Sequence, residues 1–170
     1  APAHNKAHAI GLRSAKEVFG AEVPNVVVFD TAFHATMPPK AYMYAVPYEF
    51  YEKHAIRRYG FHGTSHKFVS RAAAEYLGKK PEELKMITLH LGNGASLAAV
   101  DGGKVVDTSM GLTPLGGFMM GSRSGDLDPS VVGYISELTG IKGNDLTDYL
   151  TKKAGFLGVS GISSDCRDIE

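Results

Sequence analysis

The chain has 170 residues, 44% hydrophobic and 21% charged, and its 18 basic and 18 acidic residues give a formal net charge of zero. A chain of this length buries roughly two-thirds of its unfolded surface, which suits one ordinary domain or pieces of two. The single cysteine, Cys166, excludes an intrachain disulfide and a cysteine-rich zinc cluster. Charge balance argues against a nucleic-acid footprint, and apolar runs such as Val26–Phe29 fall far short of the ~20 residues that span a bilayer. The first twenty residues mix His, Lys, Arg and Glu with apolar positions and carry no secretory pattern, so a soluble, cytoplasmic protein is expected. Glycine, at about 12%, exceeds the usual ~7% without any repeat. The chain starts at Ala1, without methionine, inside an organised segment, and the expectation is a fragment of a larger protein.

In chain order, Ala7, Ile10, Ala15, Val18 and Phe19 predict an amphipathic helix over 5–19 that stops at Gly20. The β-branched run 25–30 lacks alternation and predicts a strand buried on both faces. Pro38-Pro39 then breaks the chain, placing a domain boundary so that 1–36 and 37–170 belong to different domains. Pro47 opens a helix to about Ile56, and Thr64 or Ser65 caps another running to about Leu77. Pro81 starts a short helical turn. Strands follow over 86–91, 95–101 and 104–107, joined by Gly92-Asn93-Gly94 and Gly102-Gly103. Residues 108–124 form a glycine-rich loop. Asp128-Pro129 caps a helix to about Leu138, and 145–154 form the last helix before a Gly/Ser segment. Alternating strands and helices indicate an α/β class.

Five constellations carry candidate chemistry. Asp30 ends the apolar strand, where ligands collect in open α/β sheets, although an aspartate capping a turn fits equally. His90-Leu91-Gly92-Asn93-Gly94 joins two strands, so it is either a plain hairpin turn or a phosphate-holding one. A dinucleotide fingerprint would need a helix after the glycines, and a Walker A loop would need Ser or Thr after Lys104, where Val105 stands. Arg123, set among Gly121, Ser122, Ser124 and Gly125, is either a phosphoryl-binding guanidinium or a surface arginine paired with Asp126 or Asp128. His62 and His66 lack the glutamate of a zinc-binding H-E-x-x-H, and His62 is either a structural or a catalytic histidine. Asp165-Cys166-Arg167 could contact ribose or phosphate, or pair internally, and Cys166 has no neighbouring base to activate it.

The runs Val28–His34, Arg58–His66, His90–Ser96, Gly121–Pro129 and Ser163–Asp168 resemble the acetokinase family of short-chain acyl kinases, over the whole 170 residues. That family belongs to the sugar kinase, heat-shock ATPase and actin superfamily. The resemblance implies a ribonuclease H-like α/β fold, with the end of a first domain followed by the first half of a second. It implies ATP-dependent phosphorylation of acetate to acetyl phosphate and ADP, with Mg2+ and a homodimer. Propionate or butyrate kinase, and an ATPase switch module, are the alternative readings. By the same resemblance Asp30, His62 and Arg123 are catalytic, with Asp30 touching the metal only indirectly. His90, Leu91, Gly92, Asn93, Gly94, Asp165, Cys166 and Arg167 contact nucleotide, and Phe61 and Pro114 line the acyl pocket. Ala3 and Lys6 replace the family's usual leucine and proline, so no role passes to His4. A first phosphate loop, a substrate-binding arginine, an adenosine-binding segment and a late metal-binding glutamate are not matched in these residues.

Overall fold

A computed structural model describes residues 2–170 of the chain, with side chains from residue 5 onward, so the His4 side chain lies outside the described set. Helix α1 (Pro2–Phe19) ends where expected, at Gly20 in the left-handed region (φ 79°), whose N–H donates to the Lys16 carbonyl at 3.0 Å. The predicted strand over 25–30 is not formed. These residues pair with no strand among the described residues, and Val26 and Val28 are 82% and 70% exposed. β-Branched residues favour an extended backbone, but a strand exists only with a hydrogen-bonded neighbour.

A 3-10 turn, Ala32–Thr36, leads into α2 (Pro39–Tyr42) and α3 (Tyr48–His54). Then α4 (Gly63–Tyr76) packs on an antiparallel meander of β1 (Lys85–Leu91), β2 (Ala95–Asp101) and β3 (Lys104–Thr108). In register, His90 faces Ser96 and Thr88 faces Ala98, and a bulge interrupts β2 against β3 between Ala99 and Val100. Successive strand residues point to opposite faces. The covered face therefore carries Met86, Thr88 and His90 from β1, and Ser96, Ala98 and Val100 from β2. Met37 joins Ala98, Val100 and Val105 in one buried cluster, with Phe33 and Met86 against it, so the 32–37 segment packs directly on the sheet. Phe61, Ala95, Met110 and Met120 form a second cluster.

The C-terminal part holds α5 (Pro129–Thr139), α6 (Gly143–Lys152) and α7 (Gly155–Ser160). Asp128 Oδ1 accepts from the Ser130 N–H at 2.8 Å, the cap expected before a first-turn proline. The predicted 145–154 helix stops at Lys152, and part of the expected Gly/Ser irregular segment is α7. Gly155 makes the break, because its positive φ of 63° turns the chain between the two helices.

Candidate active site

Asp30 and His62 meet through the backbone. The His62 N–H donates to Asp30 Oδ2 at 2.7 Å, and the Gly63 N–H donates to the Asp30 carbonyl at 2.8 Å. This double link replaces the expected Thr64 or Ser65 cap, since His62 itself is the cap residue of α4 and sits in the left-handed region at φ 59°. A positive φ is uncommon for a non-glycine residue, and the Asp30 carboxylate holds it here. Ser65 instead hydrogen-bonds His90 Nδ1 at 2.9 Å. Gly63 has no room for a side chain, because a Cβ would strike the Asp30 carbonyl oxygen. Asp30 is thus a cap, but one that reaches across 32 residues to fix the His62 turn.

The imidazoles of His62 and His90 stack at 3.9 Å with 21° between planes. His62 Nδ1 lies 2.8 Å from Ser96 Oγ, the same oxygen that lies 2.8 Å from His66 Nε2, and His66 Nδ1 lies 2.8 Å from Thr88 Oγ1. Burial, and then the charges of His90 and Arg123, hold His62 below its ordinary pKa, with Asp30 opposing them. Burial also pushes His34 and His66 down to about 4. His34 is fully buried, and neither ring nitrogen meets a protein partner among the described residues. Its ring is packed under Gly60, where any Cβ would come within 2.7 Å of it.

Arg123 approaches from the glycine-rich loop. Its Nη1 donates to the Pro114 carbonyl at 3.0 Å and lies 2.9 Å from where a Cβ on Gly94 would be. The expected alternative, a surface pairing with Asp126 or Asp128, is not made. Asp126 Oδ1 accepts from the Gly117 N–H and Asp128 caps α5, so the guanidinium forms no ion pair among the described residues. The hairpin turn is pinned to the same loop by the Gly121 N–H, which donates to the Asn93 carbonyl at 3.4 Å. Gly121 also abuts the Asn93 side chain and the Ser164 carbonyl, so the 165–167 turn lies beside the hairpin. There the Asp165 carboxylate accepts from both the backbone N–H and the guanidinium of Arg167. Those hydrogen bonds hold Asp165 down to about 2. Cys166 is exposed. Phe61 lies in the second buried cluster, with Met110 and Met120 of this loop, and the Pro114 carbonyl accepts from the guanidinium.

Four residues emerge that the sequence did not single out. Ser96, Thr88 and Gly155 carry no sequence signal of a role, and the spacing of His66 from His62 suggests only a zinc motif whose glutamate is missing. Period-two spacing of Thr88 and His90, and the four-residue spacing of His62 and His66, were the available signals. Gly155 is the floor of the Arg123 loop. A Cβ there would strike the Met120 carbonyl oxygen and come within 2.8 Å of Arg123 N and O. The loop is further tied to the α6–α7 junction by hydrogen bonds from Ala154 N–H to Ser122 O, Phe156 N–H to Met120 O and Leu157 N–H to Gly121 O.

The site therefore gathers one carboxylate, two stacked imidazoles, an uncompensated guanidinium and a glycine turn at one end of the sheet. No group of three or more metal-ligating side chains occurs among the described residues. That donor set fits Mg2+ in the way the ion is often held, by substrate phosphates with one or two protein carboxylates rather than in a protein cage. No helix among the described residues is long and apolar enough to cross a membrane.

A model of the acetokinase family matches residues 1–170. Curated acetate kinases from Clostridium acetobutylicum and Thermotoga maritima are 59% identical over 170 residues and 62% identical over 171, covering 100% of this chain and 42% of each relative. The crystal structure of Porphyromonas gingivalis acetate kinase superimposes with a TM-score of 0.93 at 48% identity, covering 99% of this chain and 42% of that one. A propionate kinase from Francisella tularensis gives 0.91 at 50% identity, covering 99% and 43%. The chain thus spans about two-fifths of the length of the relatives it matches. A family match over every residue, joined to the same fold in solved relatives, makes this chain a member of the acetokinase family.

Proposed function

We propose that this chain serves reversible transfer of the γ-phosphoryl group of ATP to the carboxylate of acetate, giving acetyl phosphate and ADP. The observation that carries the reading is the convergence of Asp30, His62, the 90–94 turn and an unpaired Arg123. Phosphoryl transfer asks mainly for in-line positioning and cationic stabilisation of a loose transition state. Asp30 orients the acceptor carboxylate and the metal-bound phosphates. The Arg123 fork and His62 stabilise the transferring group, and His90, Leu91, Gly92, Asn93 and Gly94 hold the ATP phosphates. Asp165, Cys166 and Arg167 touch the nucleotide, while Phe61 and Pro114 line the acyl pocket. Mg2+, when bound to ATP with Asp30 at its periphery, neutralises phosphate charge. On this reading the enzyme works as a cytoplasmic homodimer, its cleft formed between a domain ending near residue 36 and one beginning near 37.

The similarity to a propionate kinase keeps a second substrate in view. One methylene discriminates by only about 1–3 kcal/mol, so the preference is quantitative. The test is kcat/KM of the full-length enzyme for acetate, propionate and butyrate at saturating Mg-ATP. A maximum at acetate supports the proposal. A maximum at propionate replaces the substrate, and carboxylate-independent ATP hydrolysis overturns the kinase reading.

A further inference from the structure

Thr88, His66 and Ser96, behind His62, are 4%, 1% and 0% exposed, and the roles above leave all three unused. They stand in one hydrogen-bonded line. Thr88 Oγ1 donates to the Ala98 carbonyl at 3.4 Å and lies 2.8 Å from His66 Nδ1. His66 Nε2 lies 2.8 Å from Ser96 Oγ, which lies 2.8 Å from His62 Nδ1.

Counting hydrogens gives the line a direction. A hydroxyl has one proton to donate. Thr88 gives its proton to Ala98 O, so its oxygen accepts from His66 Nδ1–H. Burial keeps His66 neutral, with a pKa pushed down to about 4, so its Nε2 bears a lone pair and accepts the Ser96 O–H. Ser96 has then used its proton and accepts from His62 Nδ1–H. The reverse direction would take the Thr88 proton away from Ala98 O. It would also present a hydroxyl proton to His62 Nδ1, which leaves no acceptor there once an anionic phosphate draws a second proton onto the ring. Stacking on His90, itself bonded to Ser65, fixes the ring plane.

We propose that Thr88, His66 and Ser96 are positioning residues that lock the Nδ1–H of His62 onto Ser96, so that Nε2 is the nitrogen that takes up a proton from solvent beside the anionic phosphates and then donates a hydrogen bond to the transferring phosphoryl group. The proposal rests on the phosphoryl-transfer reading of His62 and deepens it. A ring tautomer is set by the partner of the other nitrogen, and here that partner is traced through three residues to a backbone carbonyl.

The test uses the full-length enzyme with 15N-labelled histidine, reading the His62 ring-nitrogen shifts beside kcat and KM. Ser96→Ala cuts the line next to His62. Thr88→Val removes its far end while keeping the shape, and Thr88→Ser restores the hydroxyl. The expected result is Nδ1–H His62 in the wild type and Thr88→Ser, with mixed tautomers in Ser96→Ala and Thr88→Val. For Ser96→Ala, kcat should fall about 10–100-fold while both KM values change little. Unchanged His62 shifts and kcat in Ser96→Ala and Thr88→Val, with His62→Ala impaired, overturn the lock. Lower Tm with an unchanged tautomer also overturns it, because it marks a purely structural role. If Ser96→Ala does not fold, the Thr88→Val and Thr88→Ser pair decides. A fully active His62→Ala overturns the catalytic reading and the lock together, an outcome distinct from the first.

Discussion

Replacing Gly155 by alanine should disable the Arg123 loop from below. The residue sits at φ 63°, a conformation that costs a non-glycine residue roughly 1–2 kcal/mol. Its new Cβ would meet only backbone atoms, the Met120 carbonyl oxygen and Arg123 N and O, and none of these can rotate away. Restoring an ordinary 3.4 Å contact from 2.8 Å moves the Arg123 backbone by about 0.6 Å. That shift disturbs the Met120 N–H to Arg123 O hydrogen bond, now 3.0 Å, and displacement of the Met120 carbonyl disturbs the Phe156 N–H to Met120 O bond, now 2.9 Å, each worth about 1 kcal/mol. The expected destabilisation is therefore roughly 2–4 kcal/mol. Misplacing a catalytic group by about 1 Å costs ~100-fold, so kcat should drop about 10–100-fold. Urea unfolding and acetyl phosphate formation by the full-length enzyme measure the two effects. Wild-type midpoint and kcat in Gly155→Ala would refute both the strain and the placement of Arg123.

Three further outcomes are expected. Arg123→Ala and Asp30→Ala should each lower kcat far more than they raise KM in steady-state kinetics, and an unchanged kcat in either removes that residue's role. Gly63→Ala should break the clamp on Asp30, since its Cβ strikes the carbonyl that Gly63 N–H now binds. The check is a kcat loss accompanied by a loss of about 2 kcal/mol or more of unfolding free energy in urea titrations. Stability should fall as pH drops from about 6.5 toward 4. His34 and His66 have native pKa values depressed to about 4, so in that window the unfolded chain binds more protons and folding is penalised. Urea midpoints measured across the window check this, and His34→Phe should flatten part of the slope.

Local chemistry in the sequence was enough to read β2, whose bounds follow from the glycine turns at each end, and α5, whose start is written as Asp128-Pro129. Residue type singles out Arg123, His62 and the 90–94 turn, but it leaves each open between a structural and a functional reading, and their roles come only from the family resemblance. Illegible features were those that depend on a partner. The run 25–30 has strand-forming residues but no neighbouring strand among the described residues, and strand formation is a property of pairs. The cap of α4 is His62, and the Asp30 carboxylate and carbonyl that hold this turn lie about 32 residues upstream, where no local rule could find them. Gly155 looked like part of a flexible Gly/Ser stretch because the atoms that forbid its side chain, at Met120 and Arg123, are distant in sequence. The link between Ser96 and the two histidines needed both the β1–β2 register and the docking of α4.

The meander's connectivity also bears on the order in which the site is assembled. Among the described residues its three strands pair only with sequence neighbours, through turns over 92–94 and 102–103, so they close short loops at small entropic cost. Contacts of this kind form early, whereas the Asp30–His62 link must wait for a longer stretch of chain to return. Thr88, His90 and Ser96 would then stand in place as a template before His62 docks on them. In φ-value terms, substitutions in the β1–β2 turn should slow folding, and loss of the Asp30 carboxylate should mainly hasten unfolding.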